Sequence, residues 1–473
     1  MTTVTNSTQW AQQEFQLANF GDRRLTRRLV GVAGALAQAP TGTLPQPLPE
    51  WKALKGAYRL FSNPRVSYEA IIGPHWERTA QICTEPGEYL ILEDKSELDF
   101  SSHPGAEGLG QIGNERGRGL CLHTSLAVRV EAWELDQSPQ VTVVGLLEQK
   151  CWARPAHPKT KKTEGWRQRL KRSRESAHWS ASLDRLPSKP AEVSWIYIAD
   201  RESDIYEPME HCQRLGIGFI IRAHYDRVLA QSDQHLLAAV RAAPVAGTYQ
   251  LELRTRPNSP ARVAQLAVRQ AQVTLRGVWR PDGPRPNLSL QVLEVVEVDP
   301  PPHVQEPIHW LLLTSLATDS FASVRRIIGR YARRWLIEEY HKALKSGAQM
   351  EQSRLESKER LRALLGVMAV LAVRLLNTKL LARHRPDEPV AAQTFGPEAL
   401  QILSARFGEP KGGWTYQTLW VAIARLGGFL ARKGDGQPGW ITIWRGWDRL
   451  MTMAEGVISL SAHYPGLGGR RCG

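Results

Sequence analysis

With 473 residues, 42% of them hydrophobic and 23% charged, the chain has the composition of a globular protein with two or three domains. No run reaches the roughly 18 consecutive apolar residues of a membrane span, the N-terminus lacks the pattern of a signal peptide, and the five scattered cysteines form no CxxC pair. These features argue against a membrane protein, a disulfide scaffold and a thiolate zinc site. The formal net charge of +14 favours a polyanionic partner, and we expect a cytoplasmic protein.

The first predicted elements are helices between about residues 8 and 75, interrupted by a loop near residues 40–49. Two of these helices carry grouped cations near aromatic side chains, an arrangement that suits contacts to DNA phosphates. A solvated helix face explains the same charges, so the pattern leaves both interpretations open. The cations are Arg23, Arg24, Arg27 and Arg28 in the first group, and Lys52, Lys55 and Arg59 in the second.

From about residue 88 the chain is predicted to form five short strands. Their apolar runs fit strands that are buried on both faces of a central sheet. The first run ends at Asp94 and the fourth ends at Asp200. Between the third and fourth runs, residues 150–174 contain ten Lys or Arg and one acid, Glu164, which predicts a long basic surface loop. The strand segments are EYLILEDKS, GLCLHTSLAVRV, QVTVVGLLEQK, SWIYIADRESDIYE and GFIIRAHY.

A second group of strands is predicted between about residues 245 and 316, where turns rich in Pro, Gly and Asn separate the apolar runs. This meander interrupts the path from Asp200 to the helices that follow. A long apolar helix, RLRALLGVMAVLAVRLLNTKLLARH, comes next, and residues from about 385 predict a small helical domain with Trp-rich turns. The strand segments of this group are YQLELRTRP, QVTLRGVWR, LSLQVLEVVEV and IHWLLLTS.

The segment YARRWLIEEYHKALKSG, residues 331–347, predicts an amphipathic helix with one chemically unusual face. At about 100° per helical residue, Tyr331, Arg334, Glu338 and Lys345 fall within roughly 60° of one another. One face therefore presents a carboxylate flanked by cations and a phenol, a surface that suits a metal ion beside a phosphodiester. The opposite, apolar side is formed by Leu336, Ile337, Tyr340, Ala343 and Leu344.

Three carboxylates occupy positions from which they can converge: Asp94 and Asp200 at strand ends, and Glu338 on the helix. Carboxyl ends of neighbouring parallel strands collect at one edge of a sheet. Asp, Asp and Glu are the residue types that two Mg²⁺ ions need for phosphodiester chemistry, because Mg²⁺ prefers oxygen ligands. A single strand-terminal Asp is more often a turn or cap residue, and Asp200 could simply cap a helix that begins near Ser203.

At these residues the sequence resembles the Asp-Asp-Glu transposases of bacterial insertion sequences, family four. The resemblance rests on ILED around Asp94, ADRESDIY around Asp200 and YARRWLIEEYHKALKSG around Glu338. It extends over nearly the whole chain, through GDRRLTRRLV and GAYRLFSNPRVSYEAI near the N-terminus, IHWLLLT in the second strand group, and AIARLGGFLARKGDGQPGWITIWRGWDRL near the C-terminus.

The resemblance implies an α/β fold, with a ribonuclease-H-like catalytic core that contains an inserted antiparallel β-sheet and is flanked by helical N- and C-terminal domains. The implied domains are a DNA-end-binding domain at 1–75, a catalytic domain at 76–384 with the insertion at about 240–316, and a C-terminal dimerisation domain at 385–473. The implied reaction is cut-and-paste transposition in which the transposon end is cleaved through a hairpin intermediate and its 3′ end is joined to target DNA.

The resemblance also implies roles for individual residues. Asp94, Asp200 and Glu338 would bind two Mg²⁺ ions per active site, with Mn²⁺ as a substitute. Trp310, in IHWLLLT, would stack on a flipped base near the hairpin, as an indole can replace lost base stacking. The expected DNA-binding residues are Tyr331, Arg334 and Lys345 at the 5′ phosphate, with Lys342, His341, Arg222, Trp310, Arg27 and Arg28.

The expected partners are double-stranded transposon ends and target DNA, bound by a homodimer in a synaptic complex, with no membrane and with a nucleoid-associated location in a bacterial cytoplasm. Two alternatives to an active transposase are open. One is a catalytically silent DNA-binding relative that acts as a repressor or structural component, and the other is a metal-dependent nuclease without strand transfer. Read without the resemblance, Trp310 is also compatible with a packed core residue, and Arg222 with a surface ion pair.

Overall fold

The computed structural model describes the chain in segments from residue 7 to residue 463. Residues 156–174 of the predicted basic loop lie outside the described residues, and so does Cys472. The four other cysteines are buried and unpaired, as the spacing predicted. The described residues are 7–40, 42–113, 116–133, 139–155, 175–230, 232–253, 261–280, 282–302, 304–390, 397–432 and 435–463.

Four helices form the N-terminal part, as the periodicity predicted. The second and fourth begin at side-chain caps, because the Asp22 carboxylate accepts from the Arg24 amide and the Ser67 hydroxyl accepts from the Ala70 amide. Each helix buries part of its apolar residues, but Trp51 and Tyr58 of α3 are exposed, as are the predicted cation groups. The helices are α1 (Ser7–Phe15), α2 (Arg23–Gln38), α3 (Trp51–Phe61) and α4 (Tyr68–Ile82).

A ten-stranded mixed sheet forms the centre of the described structure. Its order is β2-β3-β1-β5-β6-β12-β11-β8-β7, and β4 also pairs with β3, along a part of β3 that β2 does not reach. The strands are β1 (Gly87–Asp99), β2 (Gly110–Ile112), β3 (Gly117–Ala132), β4 (Gln140–Trp152), β5 (Val193–Ala199), β6 (Gly218–Arg222), β7 (Val245–Leu253), β8 (Arg262–Leu275), β11 (Leu288–Val298) and β12 (His309–Thr314); β9 (Trp279–Arg280) and β10 (Gly283–Pro284) form a separate ribbon.

The central strands are buried on both faces, as their apolar runs predicted. Along β1, Leu90 and Leu92 belong to one hydrophobic cluster, whereas Tyr89 and Ile91 belong to another. This alternation places the two clusters on opposite faces of the sheet. Two helices, α5 (Tyr206–Arg214) and α6 (Leu236–Ala242), contribute to the second cluster. Strands β1, β5 and β6 are parallel to one another. Strand β3 is antiparallel to β1, and β4 is antiparallel to β3.

The inserted strands extend the central sheet rather than forming a sheet of their own. Strand β12 pairs antiparallel with β6, with Leu313 opposite Ile221, and β11, β8 and β7 continue from β12. The prediction of an inserted antiparallel sheet is therefore right about the strands and their direction, but not about their separation. The physical reason is that the free edge of β6 offers backbone donors and acceptors that β12 satisfies.

The helix predicted over residues 331–347 is interrupted, which corrects the sequence interpretation. The structure has α7 (Phe321–Ala332), then α8 (Trp335–Lys342), then a π-helical turn at Ala343–Gly347. At the break the amides of Arg333 and Arg334 bond to carbonyls three residues back instead of four. The apolar side is nevertheless buried as predicted, since Leu336, Ile337, Tyr340, Ala343 and Leu344 have no exposed surface.

The long apolar helix α9 (Lys358–His384) is the central helix of the first hydrophobic cluster. It is long and apolar enough to span a membrane, but 78% of its most apolar window is buried inside the protein. It packs against α4, β4 and the π-helical turn. Three more helices follow: α10 (Pro397–Phe407), α11 (Tyr416–Leu426) and α12 (Trp440–His463).

One hydrophobic cluster contains residues from each of the three predicted domains, among them Phe15, Leu364 and Trp444. The N-terminal helices and the C-terminal helices are therefore packed onto the central sheet through a shared core. The boundaries at residues 75 and 384 stay predictions.

Helices α11 and α12 approach each other so closely that two glycines are required at the crossing. A Cβ on Gly446 would clash with the carbonyl oxygen of Ile423, and a Cβ on Gly427 would clash with the carbonyl oxygen of Thr442. Because the clashing atoms are backbone atoms, they cannot move aside as a flexible side chain could.

We therefore expect Gly446→Ala to destabilise the protein by about 1–3 kcal/mol through overpacking. The matched control is Gly456→Ala in the same helix, where a Cβ meets nothing within 4 Å; it should stabilise by up to about 1 kcal/mol through helix propensity. Thermal unfolding and amide exchange of residues 440–463 measure both effects. Similar stability of the two variants would contradict the close approach of α11 and α12.

Candidate functional site

The pairing of two parallel strands brings Asp94 and Asp200 to neighbouring positions. In the register of β1 and β5, Glu93 lies opposite Ala199. Asp94 follows Glu93 within β1, and Asp200 follows Ala199 directly after the end of β5. Asp200 begins a 3₁₀ turn at Arg201–Ser203, but its side chain makes no capping hydrogen bond. The cap interpretation of Asp200 is therefore not supported, and its carboxylate is available to the site.

Arg334 links Asp200 to Glu338. Its Nη2 atom lies 2.6 Å from Glu338 Oε1 and 3.6 Å from Asp200 Oδ2. Tyr331 donates from its hydroxyl to Asp200 Oδ1 at 3.4 Å. Arg334 lies in the break between α7 and α8, one helical turn before Glu338, so this local geometry directs its side chain toward both carboxylates. The structure thus brings together Tyr331, Arg334, Asp200 and Glu338.

The electrostatics of the site couple Asp94 to the same group. Burial raises the pKa of Asp94 to about 6, Arg334 opposes this rise, and Glu338 and Asp200 add to it through like-charge repulsion. Burial likewise raises the pKa of Tyr331 to about 12, with Asp200 contributing. Burial disfavours the charged form of Arg334, but the neighbouring Tyr331, Asp200 and Glu338 hold its pKa above the ordinary value.

The donor atoms at this edge of the sheet fit a hard divalent cation. Asp94, Asp200 and Glu338 supply only carboxylate oxygens, the ligand type that Mg²⁺ prefers. In the part of the chain that the structure describes, however, no three His, Cys, Asp or Glu side chains stand close enough to hold a metal ion. The guanidinium of Arg334 lies between two of the three carboxylates, so their negative charge is balanced by a side chain of the protein itself.

His341 lies under the site rather than at the surface, which differs from the prediction that it assists DNA binding. Only 6% of the residue is exposed, and its Nδ1 lies 3.9 Å from Asp94 Oδ2. Its Nε2 is hydrogen-bonded to the hydroxyl of Thr124, to which the side-chain amide of Gln149 also donates. Burial lowers the pKa of His341 to about 3, so the ring is neutral and can position the Asp94 carboxylate.

Thr124 and Gln149 are polar residues of the site that the sequence interpretation missed. Thr124 is opposite Asp94 in the β1–β3 register, and Gln149 is opposite Thr124 in the β3–β4 register. Both are buried, and Gln149 also donates to the hydroxyl of Tyr340. Only the strand register shows this layer, because neither residue stands in a motif of its own.

Trp310 and Arg222 adjoin the site through Tyr331. The Trp310 ring packs edge-to-face on Tyr331 with centroids 5.7 Å apart, and one side of the indole is partly exposed. Arg222, at the end of β6, donates from Nη2 to the carbonyl oxygen of His309 at 3.1 Å. Both predicted residues therefore adjoin Tyr331, Trp310 through a ring contact and Arg222 through its charge, which opposes the burial-induced rise in the pKa of the Tyr331 hydroxyl.

The remaining predicted DNA-binding residues lie at different places. Lys342 is exposed and pairs with Glu339 at 3.3 Å, and Glu339 in turn accepts from Lys379 and from Trp440 Nε1. Lys345 is half-buried in the π-helical turn. Arg27 and Arg28 are exposed on α2, a helix that contributes none of the three acidic residues.

Neighbouring acids that could be mistaken for metal ligands are already engaged. Glu97 pairs with Arg154 at 2.6 Å. The Lys95 ammonium, beside Asp94 in sequence, lies 3.2 Å from Glu202 and 3.6 Å from Glu175. Glu175 also pairs with Arg154, so three acids and two cations form one ion-pair network beside Asp94.

Comparison with known families identifies two segments. Residues 7–66 match the family model for the transposase DNA-binding domain, and residues 160–374 match the family model for the transposase DDE domain. These two segments therefore resemble the DNA-binding domain and the DDE domain of transposases. Arg27 and Arg28 lie in the first segment, Asp200 and Glu338 lie in the second, and Asp94 lies between them.

Among solved structures, a cryo-EM structure of a piggyBac transposase synaptic complex with hairpin DNA is similar to this chain. It shares 11% sequence identity, and the similarity covers 83% of this chain and 76% of that chain with a TM-score of 0.33. A TM-score of that size does not establish a common fold.

The raised pKa of Asp94 predicts how the free energy of unfolding depends on pH. The folded pKa of about 6 is above the ordinary 3.8, so folding favours the protonated form. The stability from this group is complete below about pH 4 and is lost as the pH rises through 6. In EDTA, Asp94→Asn should therefore stabilise the protein at pH 7.5 by about 1–3 kcal/mol, and this gain should shrink toward pH 4. Denaturant unfolding at both pH values checks this, and a gain independent of pH would contradict it.

Proposed function

We propose that this transposase performs cut-and-paste transposition: it binds transposon-end inverted repeats, cleaves through a hairpin intermediate and joins the 3′ ends to target DNA. The observation that supports this most directly is the Arg334 guanidinium between Asp200 and Glu338, with Asp94 beside Asp200 in the β1–β5 register. Tyr331 and Trp310 border this group.

Within this proposal the fold is a ribonuclease-H-like core with flanking helical domains at 1–75 and 385–473. Support comes from the strand order β4-β3-β1-β5-β6, in which three parallel strands follow an antiparallel pair. The assignment to insertion-sequence family four, and the closer resemblance to the transposase of the kanamycin-resistance composite transposon, are part of the same proposal and rest on the quoted motifs.

Asp94, Asp200 and Glu338 would hold two Mg²⁺ ions, which Mn²⁺ can replace. Bound there, the two cations supply Lewis-acid activation of the attacking oxygen and stabilise the leaving oxygen. The chain itself contributes the orientation of the carboxylates. Neutral His341 and the Thr124–Gln149 pair hold Asp94 from below, and the in-register strands fix its distance from Asp200.

The same geometry suggests how the DNA strand is held. Tyr331, Arg334 and Lys345 would contact the 5′ phosphate of the end, because a guanidinium and an ammonium are the usual phosphate ligands. The partly exposed Trp310 would stack on a flipped base, and Arg222 beside it would contact the backbone. Arg27 and Arg28 would contact phosphates of the inverted repeat through the N-terminal helices.

The proposed assembly is a homodimer that holds two transposon ends and target DNA in a synaptic complex, with a nucleoid-associated location in the bacterial cytoplasm. The net charge of +14 and the exposed cations of α2 and α3 support DNA as the partner.

The acidic residues are tested first. Asp94→Asn, Asp200→Asn and Glu338→Gln should each lower Mg²⁺-dependent cleavage of end DNA by at least about a thousandfold, since each removes a charged metal ligand. DNA binding measured in EDTA should stay within a few-fold of wild type. The control Glu97→Gln removes a nearby acid that pairs with Arg154 and should leave cleavage largely intact. If any of the three variants cleaves normally, that residue is not a metal ligand.

The role of Trp310 is tested by separating two steps. Trp310→Ala should slow hairpin formation by about 10- to 100-fold, corresponding to the 1–3 kcal/mol of base stacking, and should affect the first nick much less. Trp310→Phe should restore most of the hairpin rate because it keeps an aromatic face. Gel analysis of single-turnover reactions measures both products, and equal slowing of the two steps would argue against stacking.

A further inference from the structure

The position of Arg334 raises a question about how a metal ion can enter the site. Its guanidinium is within 2.6 Å of Glu338 and 3.6 Å of Asp200, and only 15% of its side chain is exposed. A cation that binds these two carboxylates must share or take over oxygen atoms that now face Arg334. Three carboxylates with one guanidinium have a formal charge of −2, whereas two divalent cations added beside that guanidinium would raise it to +2.

An excess of positive charge in a partly buried site is unfavourable unless anions enter with it. A DNA phosphate is such an anion, and it is also a good bidentate partner for a guanidinium. Arg334 is able to change partner because it lies in the short break between α7 and α8 and because Glu338, its closer partner, has 45% of its side chain exposed.

We propose that Arg334 competes with divalent metal for Asp200 and Glu338 in the DNA-free protein, so that the site binds metal tightly only after a DNA phosphate has drawn Arg334 away. This inference rests on the proposed function, because it takes the acidic residues as metal ligands. It adds a coupling between two binding events: DNA binding strengthens metal binding, and metal binding strengthens DNA binding by the same factor. The competition between Arg334 and the metal keeps a nuclease site poorly loaded with metal until substrate is present.

The test measures Mn²⁺ affinity rather than activity. Mn²⁺ is titrated into the DNA-free full-length protein and free Mn²⁺ is followed by electron paramagnetic resonance. Arg334→Gln should bind Mn²⁺ about tenfold more tightly than wild type, within the usual range of coupling between two sites. The matched control is Arg330→Gln, one helical turn away, which removes the same charge and breaks an ion pair with Glu88 at 3.0 Å. It should change Mn²⁺ affinity less than about twofold, because screening weakens distant charges.

A second series adds a short 5′-phosphorylated duplex. In the wild type and in Arg330→Gln the duplex should tighten Mn²⁺ binding strongly. In Arg334→Gln the gain should be much smaller, because the competing guanidinium is already gone. Circular dichroism checks that each variant is folded, and Arg334→Met with Arg330→Met as its control removes the same charges and gives the same comparison if the glutamine variant does not fold.

The competition is refuted if Arg334→Gln binds Mn²⁺ no more tightly than Arg330→Gln, or if the duplex strengthens Mn²⁺ binding equally in both. A different experimental result would show that the proposed metal site itself is wrong. Glu338→Gln and Asp200→Asn, placed on the Arg334→Gln background, should each weaken Mn²⁺ binding. If they do not, the carboxylates are not the metal ligands and the proposed function fails as well. If they do, while Arg334→Gln gives no gain, only the competition is wrong.

Discussion

The parallel pairing of β1 with β5 is the constraint on which the site depends. It sets Asp94 beside Asp200 with no freedom in the register, because residues 89–93 of β1 and 195–199 of β5 are buried and a slip by one residue would exchange the two hydrophobic clusters. The cost of such a slip is many buried side chains, so two carboxylates are held together by the whole core rather than by their own interactions.

That placement is electrostatically unfavourable by itself, and the surrounding residues moderate it. Two aspartates and a glutamate at one edge repel one another, and partial burial removes much of the solvation that would offset this repulsion. Arg334 supplies the compensating charge, and Tyr331 adds a donor to Asp200. The neutral His341 ring lies 3.9 Å from Asp94 and adds no charge to the site.

Much of this arrangement could be predicted from the sequence. The parts that could not be predicted have one physical cause in common. Apolar runs report burial, so the strands and the buried side of α8 were correctly predicted. The break between α7 and α8 depends on three-residue instead of four-residue hydrogen bonds, a difference that side-chain periodicity does not encode. The burial of His341 and the role of Thr124 follow from strand register, which joins residues far apart in sequence. Pairing between Arg334 and Glu338 follows from their four-residue spacing, but the reach to Asp200 does not.

The hydrogen bonds between β12 and β6 have a consequence for how the protein can change over evolutionary time. The chain leaves strand β6 after Arg222 and returns to pair with the same strand in β12, so the two ends of the inserted segment are joined by backbone hydrogen bonds. The turns between the outer strands can lengthen or shorten while Trp310 and the helix after it keep their positions, because β12 is held by β6 on one side and by β11 on the other. The position of the indole beside the carboxylates is thus inherited independently of the lengths of those turns.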